Sequence, residues 1–218
     1  MPNDPPNGAL IIATNNPHKV EELTEILAPL GFTLHTLEDA GLSSLPEPEE
    51  TAHTFLGNAT IKASYYARAA AAPCLADDSG LEVDALGGEP GVRSARYAEC
   101  TGNREERDAA NIDLLLANLA DIPDDRRTAR FVCAIALCDA SGELIASARG
   151  TFEGRVAHAP KGSNGFGYDP LLVLTDPADP LAGKHAAELA PEEKHARSHR
   201  GQAAKAIAET LRRHPLAT

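Results

Sequence analysis

The sequence predicts an α/β protein, a mixed and twisted sheet flanked by helices. Two observations carry that reading. Short apolar runs bounded by turn residues alternate with segments of helical period. Two long strand-like runs, Thr128–Asp139 and Glu143–His158, meet at Ala140-Ser141-Gly142, a hairpin by its turn residues. Strands interleaved with helices, together with that central hairpin, argue for a mixed sheet.

The elements follow in order. Residues 1–8, MPNDPPNG, are Pro/Asn-rich and expected to be disordered, leaving one domain over 9–218. Ala9–Ala13 reads as a buried strand. Asn16 as cap and Pro17 at the first helical position start a helix that places Val20, Leu23, Ile26, Leu27 and Leu30 on one face and stops at Gly31. Phe32–Leu37 reads as a strand, the acidic Pro-rich stretch 38–51 as a loop, and Thr54–Ala72 as a helix. Pro73–Ala76 is a short strand ending at Asp77-Asp78-Ser79-Gly80, and residues 79–103 show little periodicity. Arg104–Leu119 is a helix with Ile112, Leu115, Leu116 and Leu119 inward. A Gly-rich loop spans 159–170, Leu171–Leu174 is a strand, and Ala203–Arg213 closes the chain as a helix.

Composition narrows the function classes. The 218 residues are 43% hydrophobic, 24% charged and 4% aromatic, without Trp, which suits a core of Leu, Ile, Val and Ala. A net charge of -12 argues against duplex binding, which needs a basic face. Cys74, Cys100, Cys133 and Cys138 form no CxxC pair and no zinc spacing. No signal peptide and no membrane-length apolar run is present, so a cytoplasmic protein with reduced thiols is expected.

Four constellations could carry chemistry. In Thr14-Asn15-Asn16-Pro17-His18-Lys19, a helix N-terminus favours anions, and a lysine in the first turn opposes the dipole unless it shares a phosphate with the backbone. The GxxxxGK[ST] spacing of a P-loop is absent. The pair Asp77-Asp78 offers hard oxygen ligands of the kind Mg²⁺ takes one or two at a time with substrate phosphates, although an Asx-turn cap fits the same letters. The loop Gly162–Pro170 holds Phe166 and Tyr168 among glycines, suited to stacking on a base, or to a tight loop with Phe166 plugging the core. Lys194-His195-Ala196-Arg197-Ser198-His199-Arg200 is a dense cluster of donors in an acidic chain. Together they describe a polyanion, a hard metal and a planar base: a nucleotide.

The stretches IIATNNPHKVEEL, ETAHTFLGNATIKA, LADDSGLEVDALGGEPGVRSARYA, GSNGFGYDP, GKHAAELAPEEK and SHRGQA, in this order, strongly resemble the non-canonical purine nucleoside triphosphate pyrophosphatases, the inosine/xanthosine triphosphatases, over residues 9–213. The resemblance implies two lobes around a central nucleotide-binding cleft, and hydrolysis of ITP, dITP and XTP to the monophosphate and pyrophosphate. It implies that Thr14, Asn15, Asn16, Pro17, His18 and Lys19 bind the triphosphate. Asp78 would be general base and magnesium contact, and Ser79 would touch the substrate. Phe166, Gly167, Tyr168 and Asp169 would hold base and sugar, while Lys194, His199 and Arg200 would meet the purine. A second metal ligand is expected in the acidic loop, where Glu49 and Glu50 both align and Glu49 is slightly preferred. One Mg²⁺ per subunit and a homodimer are further implications, with neither nucleic acid nor membrane as partner. The chain departs from the family at Gly57, where an acidic residue is usual, which puts a metal-supporting role for that helix in doubt. The alternative enzyme reading is a Maf-type nucleotide pyrophosphatase acting on other triphosphates, and the non-enzyme reading is a nucleotide-binding module without turnover.

Overall fold

The computed structural model describes residues 9–213; the segment 1–8, expected to be disordered, lies outside the described residues. The elements run β1 (Ala9–Ile12), α1 (Pro17–Leu27), β2 (Thr33–Thr36), α2 (Phe55–Ala70), β3 (Cys74–Val83), α3 (Arg104–Asn118), β4 (Thr128–Cys138), β5 (Leu144–Val156), β6 (Leu172–Val173), α4 (Pro191–Arg197) and α5 (His199–Arg213). The strands form one sheet in the order β2-β1-β3-β4-β5-β6. Strand β1 is parallel to β2 and β3, and β5 is antiparallel to β6, so the sheet is mixed as the sequence predicts. The described residues divide into two compact units: one holds residues 9–78, Cys133–Gly150 and residues 199–213, and the other holds Ser79–Val132 and Thr151–Ser198.

In the first unit the pleat sorts side chains strictly. Leu10, Ile12, Leu75, Cys133 and Ile135 pack with Leu23 and Leu27 of α1 and with Ala204 and Ile207 of α5. Their sequence neighbours Ile11, Ala13, Cys74, Ala76 and Ala136 pack with Ala59, Ala63 and Ala67 of α2. This is the two-residue alternation of a sheet buried on both faces. Asn16 caps α1, its side chain accepting from the His18 N–H at 3.2 Å, with Pro17 in the first turn. Thr54 caps α2, accepting from the Gly57 N–H at 3.1 Å.

Two boundaries differ from the sequence reading by several residues. Strand β3 does not end at Ala76 but runs on through both aspartates to Val83. Gly80 concealed the continuation. A Cβ there would lie 2.3 Å from the Ser94 hydroxyl oxygen and 2.6 Å from the Gly91 carbonyl oxygen, so the glycine marks a close approach of backbone within a strand rather than a turn. The last helix begins at His199, four residues ahead of the expected Ala203, and the short α4 precedes it.

The second unit is built on Leu81, Val83, Leu115, Leu119, Phe131 and Phe152, with Tyr97 and Tyr168. Helix α3 carries a capping box, the Asn103 side chain accepting from Glu106 N–H and the Glu106 side chain from Asn103 N–H. No helix among the described residues is long and apolar enough to cross a membrane.

Three of the four thiols, Cys74, Cys133 and Cys138, behave as buried hydrophobes. Burial pushes Cys74 up to about 12 and raises Cys133 and Cys138 as well, while Cys100 is half-buried. At pH 8 a thiol of that kind is thiolate to about one part in 10⁴, and the thiolate is the nucleophile. A disulfide reagent should therefore titrate Cys100 alone in the native protein and reach the other three only in denaturant. Fast native labelling of Cys74 would contradict this packing.

Candidate functional site

The site centres on the strand that carries both aspartates. Successive side chains of a strand point to opposite faces. Asp77 follows Leu75 onto the α1/α5 face, and Asp78 follows Ala76 onto the α2 face. The two carboxylates therefore meet different partners, and neither is a turn cap.

Asp77 is fully buried, at 0% exposure. Its Oδ2 lies 3.1 Å from the Lys19 ammonium and accepts from Arg200 Nε and Nη2, both at 3.3 Å. The Cys133 thiol stands 3.8 Å from the same oxygen. Burial would raise this carboxyl, but Lys19, Arg200 and Lys62 outweigh it and hold Asp77 well below the usual carboxylate range. It is a fixed negative charge. Lys19 is accordingly no solvated lysine: its side chain is 12% exposed and ion-paired.

Asp78 is 7% exposed and lies on the other face. Asn58 Nδ2 donates to its Oδ2 at 3.1 Å, and Lys62 Nζ stands 3.9 Å from Oδ1. The same lysine donates to Glu50 Oε1 at 2.6 Å. Burial pushes Asp78 up, Lys62 and Lys19 offset part of that, and the neighbouring Glu50 carboxylate adds to the rise. Asn58 and Lys62 are four residues apart on one face of α2. Helix α2 thus supports Asp78 directly, and the doubt attached to Gly57 does not extend to it. Gly57 itself lets the preceding turn close down, since a Cβ there would sit 2.6 Å from that of Ala52. Of the two acidic-loop candidates, Glu50 shares Lys62 with Asp78, and Glu49 is exposed.

The loop before α1 is half-open. Thr14 is buried and its hydroxyl accepts from the Asn16 N–H at 3.2 Å, whereas Asn15, Pro17 and His18 are exposed. His199 and Arg200 are both buried at the start of α5.

A second group lies in the other unit. Asp169 Oδ2 accepts from the Phe166 N–H at 2.9 Å and from the Lys194 ammonium at 2.8 Å. Gly165 has φ +78, and a Cβ on it would lie 2.0 Å from that same Oδ2, so the loop needs glycine to close around Asp169. Tyr168 is the core plug, donating from its hydroxyl to the Ser94 carbonyl at 3.0 Å. Phe166 stays half-buried, with the Arg104 guanidinium 4.7 Å and the Lys194 ammonium 5.5 Å from its ring centre. Sequence reasoning missed two contributors on α3: Arg104, and Asp108, which accepts from the Gly167 N–H at 3.1 Å. Their i,i+4 spacing on one helix face was the available signal. Ser79 follows Asp78 in β3 and is half-buried.

Among the described residues no three His, Cys, Asp or Glu side chains cluster as a metal cage. Magnesium does not need one, because it commonly takes one or two carboxylates and completes its shell with water and substrate phosphate. The Glu50 charge raises the proton affinity of Asp78, and a divalent cation would relieve that repulsion, so the residues fit.

An α/β fold with a buried acidic strand, paired cations in helix first turns and an aromatic glycine loop defines a class suited to handling a phosphorylated, planar ligand. The chain belongs to the Ham1 family, whose model matches residues 10–210. It is 48% identical to the dITP/XTP pyrophosphatase of Exiguobacterium sibiricum over 93% of this chain and 96% of that one. It is 47% identical to a dITP/XTP pyrophosphatase of Thermus thermophilus, over 94% and 93%. A solved HAM1 protein from Coxiella burnetii superposes with a TM-score of 0.80 at 38% identity, covering 94% of this chain and 98% of that one.

Proposed function

We propose that this chain is a nucleoside-triphosphate pyrophosphohydrolase that converts ITP, dITP and XTP to the monophosphate and pyrophosphate, clearing them from the nucleotide pool. The observation that supports it most is the environment of Asp78. A buried carboxyl, oriented by Asn58, held near Lys62 and Glu50 and with its proton affinity raised by burial, is placed to take a proton from water. Family membership and the curated relatives named above point the same way.

The chemistry follows from these residues. A water is oriented by Asp78, which takes its proton as the oxygen attacks the α-phosphorus. The bond from that phosphorus to the bridging oxygen breaks, and pyrophosphate leaves. The residues of Thr14–Lys19, with the α1 dipole, neutralise the triphosphate. Asp78 and one of Glu49 or Glu50, Glu50 on the present geometry, would hold Mg²⁺, which when bound withdraws charge from phosphate oxygens. Ser79 sits next to the base in sequence. Phe166 supplies a stacking face, and Lys194, anchored by Asp169, supplies a donor at the 6-oxo position, as does His199 in the family pattern; that pattern also sets Arg200 at the purine, but its guanidinium is divided between Asp77 and Glu22. Inosine and xanthosine carry that 6-oxo group, whereas adenosine would set an amine against a donor, an arrangement that discriminates strongly.

The family likeness also supports a homodimer working in the cytoplasm on free nucleotides, and the acidic net charge suits a substrate other than nucleic acid. The test is pyrophosphate release from ITP, XTP, dITP, ATP and GTP with Mg²⁺ or with EDTA. We expect kcat/KM for the first three to exceed that for ATP by about 10²-fold or more, and release to cease in EDTA. Equal rates on ATP and ITP would overturn the selectivity, and full activity in EDTA would overturn the metal.

A further inference from the structure

Arg200 carries a feature that purine recognition does not explain. It is 1% exposed, and its guanidinium is divided between Asp77 and Glu22 of α1. Lys19 and Arg200 each stand in the first turn of a helix, α1 and α5, where a cation opposes the dipole, and neither first turn contains an acid. Both cations converge on the same oxygen of Asp77, at 3.1 and 3.3 Å. The charges alternate along one line: Lys19, Asp77, Arg200, Glu22. All four belong to one compact unit.

We infer that Arg200 and Glu22 are positioning residues for the phosphate-binding lysine, acting on Lys19 through Asp77 rather than on the purine. The inference rests on the functional reading above for the role of Lys19. Asp77 divides its charge between two cations, so neither is bound at full strength, and Lys19 stays available to a second anion. Without Arg200, Lys19 becomes the main partner of a fully buried carboxylate and is withdrawn from the phosphates. Without the Glu22 charge, Arg200 has less competition for its guanidinium, leans further on Asp77, and loosens Lys19. Neighbouring changes on the chain therefore act with opposite sign, which a purely structural network would not produce.

The measurement is KM and kcat for ITP, together with calorimetric binding of inorganic pyrophosphate, for Arg200→Gln, Arg200→Lys, Glu22→Gln, Lys19→Met and the double variant Lys19→Met/Arg200→Gln. Arg200→Gln should raise KM by about 3–30-fold, within the coupling range of residues in one ion-pair network, with the ITP:ATP ratio held constant. Arg200→Lys should recover part of the loss, since it keeps the charge and loses the fork. Glu22→Gln should lower KM. In the Lys19→Met background the Arg200→Gln effect should vanish. Multiplying effects in the double variant, or a shift in the ITP:ATP ratio of more than about tenfold, would overturn the inference in favour of direct purine contact. Should Arg200→Gln fail to fold, Glu22→Gln decides: an unchanged or raised KM overturns the sharing argument, and a lowered KM upholds it. A wild-type protein that releases no pyrophosphate from ITP would instead remove the functional reading, and pyrophosphate binding across the same variants would still report on the network.

Discussion

Asp78→Asn is expected to lower pyrophosphate release from ITP by about 10²–10⁴-fold, the share that a positioned general base supplies, while leaving the protein as stable as before or slightly more so. Both halves follow from one observation. Burial makes the ionised form of Asp78 costly by more than Lys62 and Lys19 recover, and the Glu50 carboxylate adds a smaller cost. A carboxyl whose folded pKa lies above its unfolded value destabilises the fold once the pH exceeds the unfolded value, because the folded state then holds a charge it disfavours. A neutral amide of the same shape lifts that penalty, and Lys62 keeps its 2.6 Å contact with Glu50. An ionised carboxylate in this position is thus maintained at the expense of stability, the trade expected where a side chain serves activity. Steady-state kinetics and a thermal melt on the same preparation test it. A loss of less than about tenfold would remove Asp78 from the base role, and a large fall in Tm would show that it is structural.

Asp78 is hard to read from the letters for a physical reason. In sequence it is one of two adjacent aspartates before a Ser-Gly, and Gly80 invites a turn. The two-residue alternation was present all along: Leu75 and Asp77 share one face, Ala76 and Asp78 the other. It becomes informative only when the strand is known to continue to Val83. Helix α1 was legible because its signals are local: the Asn16 cap, Pro17, and a face of Leu23, Ile26 and Leu27. The hairpin of β4 and β5 was legible for the same reason, its turn closed by Asp139 N–H to Glu143 carbonyl at 3.0 Å. The site residues divide along the same line. Their chemical types were legible, because an acidic pair, a first-turn lysine and an aromatic glycine loop each carry a physical oddity. Their pairings were not. Lys19 with Asp77, Lys62 with Glu50, Lys194 with Asp169 and Arg104 over Phe166 join residues from 12 to over 60 positions apart, brought together by tertiary packing that no local pattern encodes.

Arg127 is the extreme case of that limit, and it supplies the largest expected effect on stability. In sequence it is the last residue of Asp124-Asp125-Arg126-Arg127, which reads as a solvated loop. In the fold it is 1% exposed. Its Nη1 donates to the Leu119 carbonyl at 2.7 Å, its Nε to Val156 at 2.9 Å and its Nη2 to Ala157 at 3.0 Å. Leu119 is the C-cap of α3, where carbonyls lack helical partners and a cation complements the dipole. Val156 and Ala157 stand at the end of β5. One guanidinium therefore fastens a helix terminus to a strand terminus, using the breadth of its planar fork. Burial lowers its pKa, with Asp124 offsetting part of that, so the charge is held chiefly by backbone carbonyls. Replacing it with Met would remove a donor from three buried carbonyls, of which Leu119 keeps the Ile122 N–H at 3.1 Å, and an acceptor left unsatisfied costs about 1–3 kcal/mol. Allowing for relaxation, Arg127→Met should cost about 3–5 kcal/mol and lower Tm by roughly 10 °C. Arg127→Lys should fall between, because a single ammonium cannot span three carbonyls set in different directions. Differential scanning calorimetry of both variants is the check. A Tm within about 2 °C of wild type for Arg127→Met would mean that water replaces the guanidinium at all three carbonyls.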